Sequence, residues 1–404
     1  MLSHLINILT EFDLVPNSIL DIFSRYLFYL MLDTKKHELR TAAAHFGYHE
    51  CSYSRLLPTR ETLVAAKTCL NRAARRRLSR LNRCKEVFIL IDATMVGRSG
   101  KKYENRGKFH SGKNFVQGYK ITNFCLIIEN ELIPLACLPH YSQAYCKEMG
   151  ITYQTEPEKV VYWVENLRAS GMLPDEVFEK LHFLLDSGYD AKAIQHAIRS
   201  IGAHFTMSIK KDRQVNGQPV YEYFRTHRNI RNRTIRFAVG SSSMKKKSTE
   251  YRVRSACKSH LKGFGKVCVV SSVKTQRRGL KSARKFIVTS KLSQSPRRTI
   301  EVYALRWKIE TWHRTMKQKF GYGDCRVLKF IGIETHLNLC LLAYNLSHSK
   351  ISGLPKPGTT LESYLAAQQW KRADSALNRF GGKAKIKSIA AAEVQALVEL
   401  KPCA

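Results

Sequence analysis

Three acidic residues stand where carboxylates could share a cation. Asp92 closes the run VFILID and Asp186 closes the run LHFLLD, and each follows a segment too apolar to face water. If the two segments are strands paired in parallel, their carboxyl ends lie about 4.8 Å apart and both carboxylates project into one crevice. Such a pair repels unless a cation lies between them. Carboxylate oxygens with open water positions are what Mg²⁺ or Mn²⁺ prefers. A strand-ending Asp also serves to cap a helix or turn, so a third acid is needed to separate the two uses.

Glu310 is that third acid. It sits in SPRRTIEVYALRWKIETWHRTMKQKFG, which reads as one helix with Ser295 as N-cap, Pro296 at the first helical position and Gly321 as its stop. At about 100° per residue, Tyr303, Arg306, Glu310 and Lys317 fall within roughly 60° of one another. Leu305, Ile309, Trp312 and Met316 lie on a face turned away. A carboxylate between two cations and a phenol suits the gripping of phosphates beside a metal. The alternative is an ordinary ion pair of Arg306 with Glu310, four residues on.

The elements that must position these residues follow from periodicity. KEVFILID, QGYKITNFCLII and ELIPLACL read as three strands, with a turn at Glu129 and Asn130. A helix is predicted from Glu156 to Ser170, burying Val160, Trp163, Val164 and Leu167. LHFLLD is a strand, AKAIQHAIRSI a helix and HFTMSI a further strand. The order β-β-β-α-β-α-β is that of an RNase H-like domain, an α/β fold.

Around this core the chain divides into further parts. Residues 1–83 look helical and end in the basic run RAARRRLSRLNR, which suggests an N-terminal DNA-binding region. Within it TAAAHFGYHECSYSRLL resembles a helix-turn-helix through Ala43, Gly47, Tyr53 and Leu56, with 51–57 as recognition helix. Residues 84–210 and 283–350 form the predicted catalytic domain. Between them, 211–282 read as a β-rich insertion containing VYEYF, TIRFAV, YRVRSA and KVCVVSSV. Basic clusters at 245–247 and 277–285 suit a DNA backbone. IETHLNLCLLAYNL is expected to pack back on the core, and 351–404 form a linker and helical tail.

Composition narrows the class of partner. The 404 residues hold 68 Lys and Arg against 32 Asp and Glu, a formal charge of +36, so the surface attracts polyanions. The early apolar stretch Leu14 to Leu32 is broken by Pro16, Asp21 and Arg25, which argues against a membrane partner. The start MLSHLINILTEFD has neither a basic leader nor a small-residue cleavage site. The 11 cysteines are scattered without a C-x-x-C pair, as for reduced thiols. A bacterial, cytoplasmic, nucleoid-associated protein is expected.

The spacing Y-x2-R-x3-E-x6-K, carried by Tyr303, Arg306, Glu310 and Lys317, resembles the signature helix of bacterial insertion-sequence transposases of the insertion-sequence-four type, within the RNase H-like DDE superfamily. The resemblance takes in the strand ending at Asp92, the D-S-G-Y-D turn at Asp186 to Asp190 and the insertion before Glu310, and so spans about 85–350. It implies that Asp92, Asp186 and Glu310 are catalytic and bind two Mg²⁺, with Mn²⁺ able to substitute. Tyr303, Arg306 and Lys317 would hold DNA phosphates at transposon ends. It further implies cleavage at terminal inverted repeats, strand transfer into target DNA and a homodimer on paired ends. A hairpin intermediate in that group stacks a flipped base on a tryptophan of the insertion. None lies between 210 and 282 here, which leaves Tyr221, Tyr223, Phe224 or Phe264. The competing readings are an RNase H-like nuclease that does not join ends, and a non-catalytic DNA-binding protein derived from a transposase.

Overall fold

The computed structural model describes residues 1–78, 86–111, 114–239, 247–275, 284–349 and 351–379. Five helices come first: α1 (Leu2–Phe12), α2 (Asn17–Leu30), α3 (Leu39–Phe46), α4 (Glu50–Leu56) and α5 (Arg60–Leu78). Four strands follow: β1 (Val87–Gly97), β2 (Gly107–Ser111), β3 (Asn114–Ile128) and β4 (Glu131–Pro139). Then come α6 (Gln143–Met149), α7 (Glu156–Asn166), β5 (Leu181–Leu185), α8 (Lys192–Ser200) and β6 (His204–Ile209). The next stretch holds β7 (Gln214–Val215), β8 (Gln218–Pro219), α9 (Val220–Thr226), β9 (Arg233–Val239), β10 (Lys247–Leu261), β11 (Gly265–Lys274) and β12 (Arg284–Thr289). Four helices close the described chain: α10 (Pro296–Ala304), α11 (Trp307–Lys319), α12 (Phe330–Ser347) and α13 (Leu361–Arg379).

Among the described residues the strands form one sheet. Its spine runs β3-β1-β5-β6-β12-β11-β10, with β4 and β2 on the outer edge of β3, and β9 and β7-β8 on β10. Only β1, β5 and β6 are mutually parallel. A parallel strand needs a crossover, which α7 and α8 supply, and needs apolar residues on both faces. Val87–Ile91 and Leu181–Leu185 are buried at every position, as that requires. Thr155 opens α7 with a capping box to Glu158.

Alternate residues of the strands feed two cores. Phe124, Leu126 and Phe183 pack with Val160 and Val164 of α7 and Ile194 and Ile198 of α8. Phe88, Leu90 and Ile121 point the other way, to Ile309 and Met316 of α11 and Leu337 and Leu341 of α12. Helix α12 is buried all round, between the sheet and α2 and α5, and its polar residues are paired there, Glu334 with Lys67 and His336 with Tyr26. The N-terminal helices thus share a core with the helix that carries Glu310. The predicted basic end of α5 is partly folded inward: Arg77 donates to Asn345 Oδ1 at 3.0 Å.

Some expectations need correction. VYEYF is not a strand but belongs to helix α9. Its buried residues Val220, Tyr223 and Phe224 are spaced i, i+3, i+4 behind Pro219, so helical period outweighs the β-propensity of the residues. The predicted long helix is two, α10 and α11. Between them the bonds shorten to the 3₁₀ pattern: Leu305 N to Val302 O and Arg306 N to Tyr303 O, both 3.1 Å, with no Pro or Gly at the junction. Strand β2 and its pairing with β3 were not foreseen.

Other features agree. Ser295 Oγ accepts from Arg298 N at 3.2 Å and Pro296 opens α10. Gly47, at φ 92°, turns α3 into α4, where Tyr53 and Leu56 face inward. The segment after α12 returns to the N-terminal helices, Asp33 N bonding Thr359 O at 2.8 Å. The basic runs 245–247 and 277–285, the end of the run 72–83 and the tail beyond 379 lie wholly or partly outside the described residues. No described helix is long and apolar enough to cross a membrane.

Gly321 follows α11 at φ +63°, and a Cβ there would stand 2.5 Å from Cβ of the buried His37. Gly321→Ala is therefore expected to cost about 1–3 kcal/mol in urea unfolding. A wild-type midpoint would show that this helix stop is not constrained.

Candidate active site

Parallel register brings the first two acids together. Ile91 of β1 pairs with Leu185 of β5, and the next residue on each strand is Asp92 and Asp186. Asp92 remains within β1, opposite Asn123 of β3. Asp186 leaves β5 and begins a single 3₁₀ turn, Ser187–Tyr189, but its side chain makes no cap bond. Neither acid is therefore used as a cap. Asp186 Oδ1 instead accepts from Ser208 Oγ at 3.0 Å and from Tyr303 Oη at 3.3 Å.

The 3₁₀ junction between α10 and α11 presents Arg306 to the acids. Its guanidinium bonds Glu310 through Nη2, and Nη1 stands 3.8 Å from Asp92 Oδ2. The i, i+4 ion pair is thus present, and it reaches beyond its own helix to β1. Arg306 is only 8% exposed, so this charge acts where water screens little. Lys317, farther along α11, donates to the Met95 carbonyl of β1 at 2.8 Å. The structure therefore brings Tyr303, Arg306 and Glu310 to the two strand acids Asp92 and Asp186, and sets Lys317 of α11 against Met95, three residues beyond Asp92 on β1.

The acids are driven in opposite directions. Burial pushes Asp92 up to about 6; Asp186 and Glu310 add to the rise, and Arg306 opposes it. For Asp186 burial also pushes upward, but Arg306, the Ser187 N–H and the Ser208 hydroxyl outweigh it and hold the carboxyl low. Burial would weaken the Arg306 proton, yet Tyr303 and the three acids keep its pKa raised. Burial raises the Tyr303 phenol, which stays a donor, and lowers Lys317. Asp92 and Glu310 thus share one guanidinium, whose charge also reaches Asp186. Among the described residues no three His, Cys, Asp or Glu side chains gather as a ready metal cluster.

Two groups that support the site were not foreseen. Asn123, facing Asp92 across the strands, accepts from Tyr322 Oη at 2.6 Å and meets His313 Nε2 at 3.1 Å. That ties α11 to β3 just behind the acids, and burial with Lys317 nearby pushes His313 down to about 3, so the ring is neutral. The signal was present: a fully buried Asn in the apolar run ITNFCLII requires partners. On the opposite side, Tyr189 of the D-S-G-Y-D turn donates to Glu156 Oε1 at 2.9 Å, and Glu156 also binds Thr122 and Lys120. Asp190 is held by Gln195 at 2.9 Å and Arg213 at 3.3 Å, a structural acid. Of the four candidate stacking aromatics Tyr223, Phe224 and Phe264 are buried, and only Tyr221 is open, at 44%.

The raised Asp92 pKa has a consequence for stability without metal. A carboxyl whose pKa is higher folded than unfolded contributes most below its unfolded value near 3.8 and loses that contribution as pH rises through about 6. In chelator, wild type should lose on the order of 2 kcal/mol relative to Asp92→Asn between pH 4 and pH 7. Parallel urea titrations of the two proteins across that range check this. A pH-independent difference would mean that Asp92 is not held in a charge-poor setting.

No curated protein matches the chain. A family model does match, over residues 160–346, beginning after Asp92 and the first four strands. The stretch that supplies Asp186, Tyr303, Arg306, Glu310 and Lys317 is therefore similar to the transposase DDE domain, and the match supports a DDE transposase.

Proposed function

We propose that the protein is a cut-and-paste DNA transposase of the insertion-sequence-four type, with an RNase H-like core and Asp92, Asp186 and Glu310 as its catalytic acids. The observation that carries this is one nearly buried guanidinium, Arg306, paired with Glu310 and 3.8 Å from Asp92, with Asp186 following the strand parallel to that of Asp92. The homologous stretch contributes two of those acids and the whole Y-x2-R-x3-E-x6-K set.

The residues fit divalent cations. The donors are all hard oxygens, burial together with the neighbouring acids raises Asp92, and Arg306 already stands where a cation is needed. Asp92, Asp186 and Glu310 would hold two Mg²⁺, with Mn²⁺ as substitute. When bound, the ions supply charge that activates water toward the phosphodiester and offsets charge on the departing 3′ oxygen.

The protein's own groups do the rest. Ser208 and Tyr303 orient Asp186 through its Oδ1. Arg306 presents a planar fork suited to a phosphate once its carboxylates are neutralised, and Lys317 adds a point charge farther along the strand. Attack of water on phosphorus breaks the bond to the 3′ oxygen, which departs as a hydroxyl. That hydroxyl then attacks a target phosphodiester and displaces a 3′ oxygen there, so no covalent enzyme intermediate is needed. Two protomers on paired transposon ends would coordinate insertion, and the helical pair α3–α4 would contribute end recognition.

A strand-transfer assay tests the proposal, using DNA that carries the inverted repeats flanking the gene. Joined products in Mg²⁺ are expected; cleavage without joining would favour the nuclease reading. Glu310→Gln should lose cleavage by orders of magnitude and keep end binding in gel shift. Arg306→Ala should bind ends more weakly while retaining Mn²⁺. Wild-type cleavage by Glu310→Gln would remove Glu310 from the site.

A further inference from the structure

Residues 98–120 carry seven Lys and Arg against one acid, Glu104. That acid is occupied, since Glu104 Oε2 accepts from Phe330 N at 2.8 Å at the start of α12. Lys101, Lys102, Arg106 and Lys108 have no carboxylate partner among the described residues. The segment ends in the β2–β3 hairpin, whose register sets His110 opposite Phe115 and Lys108 opposite Gln117.

The hairpin has two unlike faces. Phe109 and Val116 form one, and it is anchored: Phe109 meets the His140 ring edge-on at 5.6 Å, and His140 meets Tyr153. Lys108, His110, Phe115 and Gln117 form the other, and all four are exposed. There the Phe115 ring is 50% exposed, with Lys108 Nζ 4.2 Å from its centroid and the His110 ring at the same distance. Water gains nothing from an open phenylalanine, and a cation over its face keeps the ring in position without covering it.

The hairpin also lies on the track of the site. Asp92 pairs with Asn123 on β3, and Phe115 is eight residues back along that strand. Strand alternation puts both on the same face of the sheet, at most about 27 Å apart at 3.4 Å per residue. That is about eight base-pair steps of duplex. Gly118 permits the join: at φ +152° it sits so close to β1 that a Cβ would meet Val96 O at 1.9 Å.

We propose that the β2–β3 hairpin and the loop leading into it form a DNA-gripping arm, with Lys101 and Lys102 of the loop and Lys108 of the hairpin on backbone phosphates and Phe115 wedged against sugars and base edges of a duplex that extends from the active site. The proposal rests on the DNA reading of that site but concerns binding alone. Lysines bring affinity that salt removes, whereas an apolar wedge brings affinity that salt leaves alone.

The test is fluorescence anisotropy of the full chain in chelator, on a 30-base-pair duplex over a range of salt. Replacing Lys101, Lys102 and Lys108 together with Ala should lower the slope of log K against log salt by about 2.7, at 0.9 per phosphate contact. Phe115→Ala should weaken binding several-fold with the slope unchanged. All of these side chains are exposed, so melting temperatures should match wild type and confirm the fold. Wild-type affinity and slope in both variants would overturn the arm while leaving strand transfer intact. A wild-type protein that binds no duplex would instead overturn the DNA reading of the site itself.

Discussion

Arg306 is a nearly buried cation set between Asp92 and Glu310, with Asp186 tied in through Tyr303, and most of the structure around the site serves to hold that charge among acids. Burial, with the neighbouring acids adding to it, leaves an Asp92 carboxyl pushed up to about 6 beside an Asp186 held low. Two acids of like chemistry are made unlike by their surroundings.

Keeping such a cluster assembled demands a rigid frame. Asp92 stands within, and Asp186 just beyond, strands buried on both faces, and the helix bearing Glu310 is pinned to β3 by the pairing of Asn123 with His313 and Tyr322. Behind α11, the buried helix α12 ties that helix to α2 and α5. The electrostatic conflict at the acids is thus held by apolar contacts well away from them. The 3₁₀ step between α10 and α11 has the same origin. It lets Tyr303 reach Asp186 while Arg306 reaches Asp92 and Glu310, from a backbone that never leaves the helical region.

Much of this was legible in residue types and spacing. The apolar runs ending in Asp92 and Asp186 marked the strands, while their parallel pairing was only a condition of the argument until the register showed it. Ser295, Pro296 and Gly321 marked the ends of the helical segment, because caps and stops are local chemistry. What was not legible depends on contacts distant in sequence. The split at Leu305 and Arg306 has no Pro or Gly to announce it. VYEYF looked like a strand by propensity although its burial is helical. Strand β2 is short and polar, and its pairing is set by Gly118 and by the anchoring of Phe109 on His140, neither of which leaves a periodic signal.

The charge of the chain gains meaning from where it is paired and where it is not. Some cations serve the fold: Arg77 bonds Asn345, Arg213 holds Asp190, and Arg98 donates to the Gly323 and Cys325 carbonyls. Half-buried and engaged with partners, these contribute less to the field outside. Lys101, Lys102 and Lys108 lie on an arm whose one acid is turned to α12, so their field reaches solvent. A formal charge of +36 therefore overstates the attractive surface and says nothing of its direction. The direction comes from β1 and β3. The same two strands carry Asp92 and Asn123 at one point and lead to unpaired lysines farther along, so a polyanion drawn to the arm lies along the line that passes the acids.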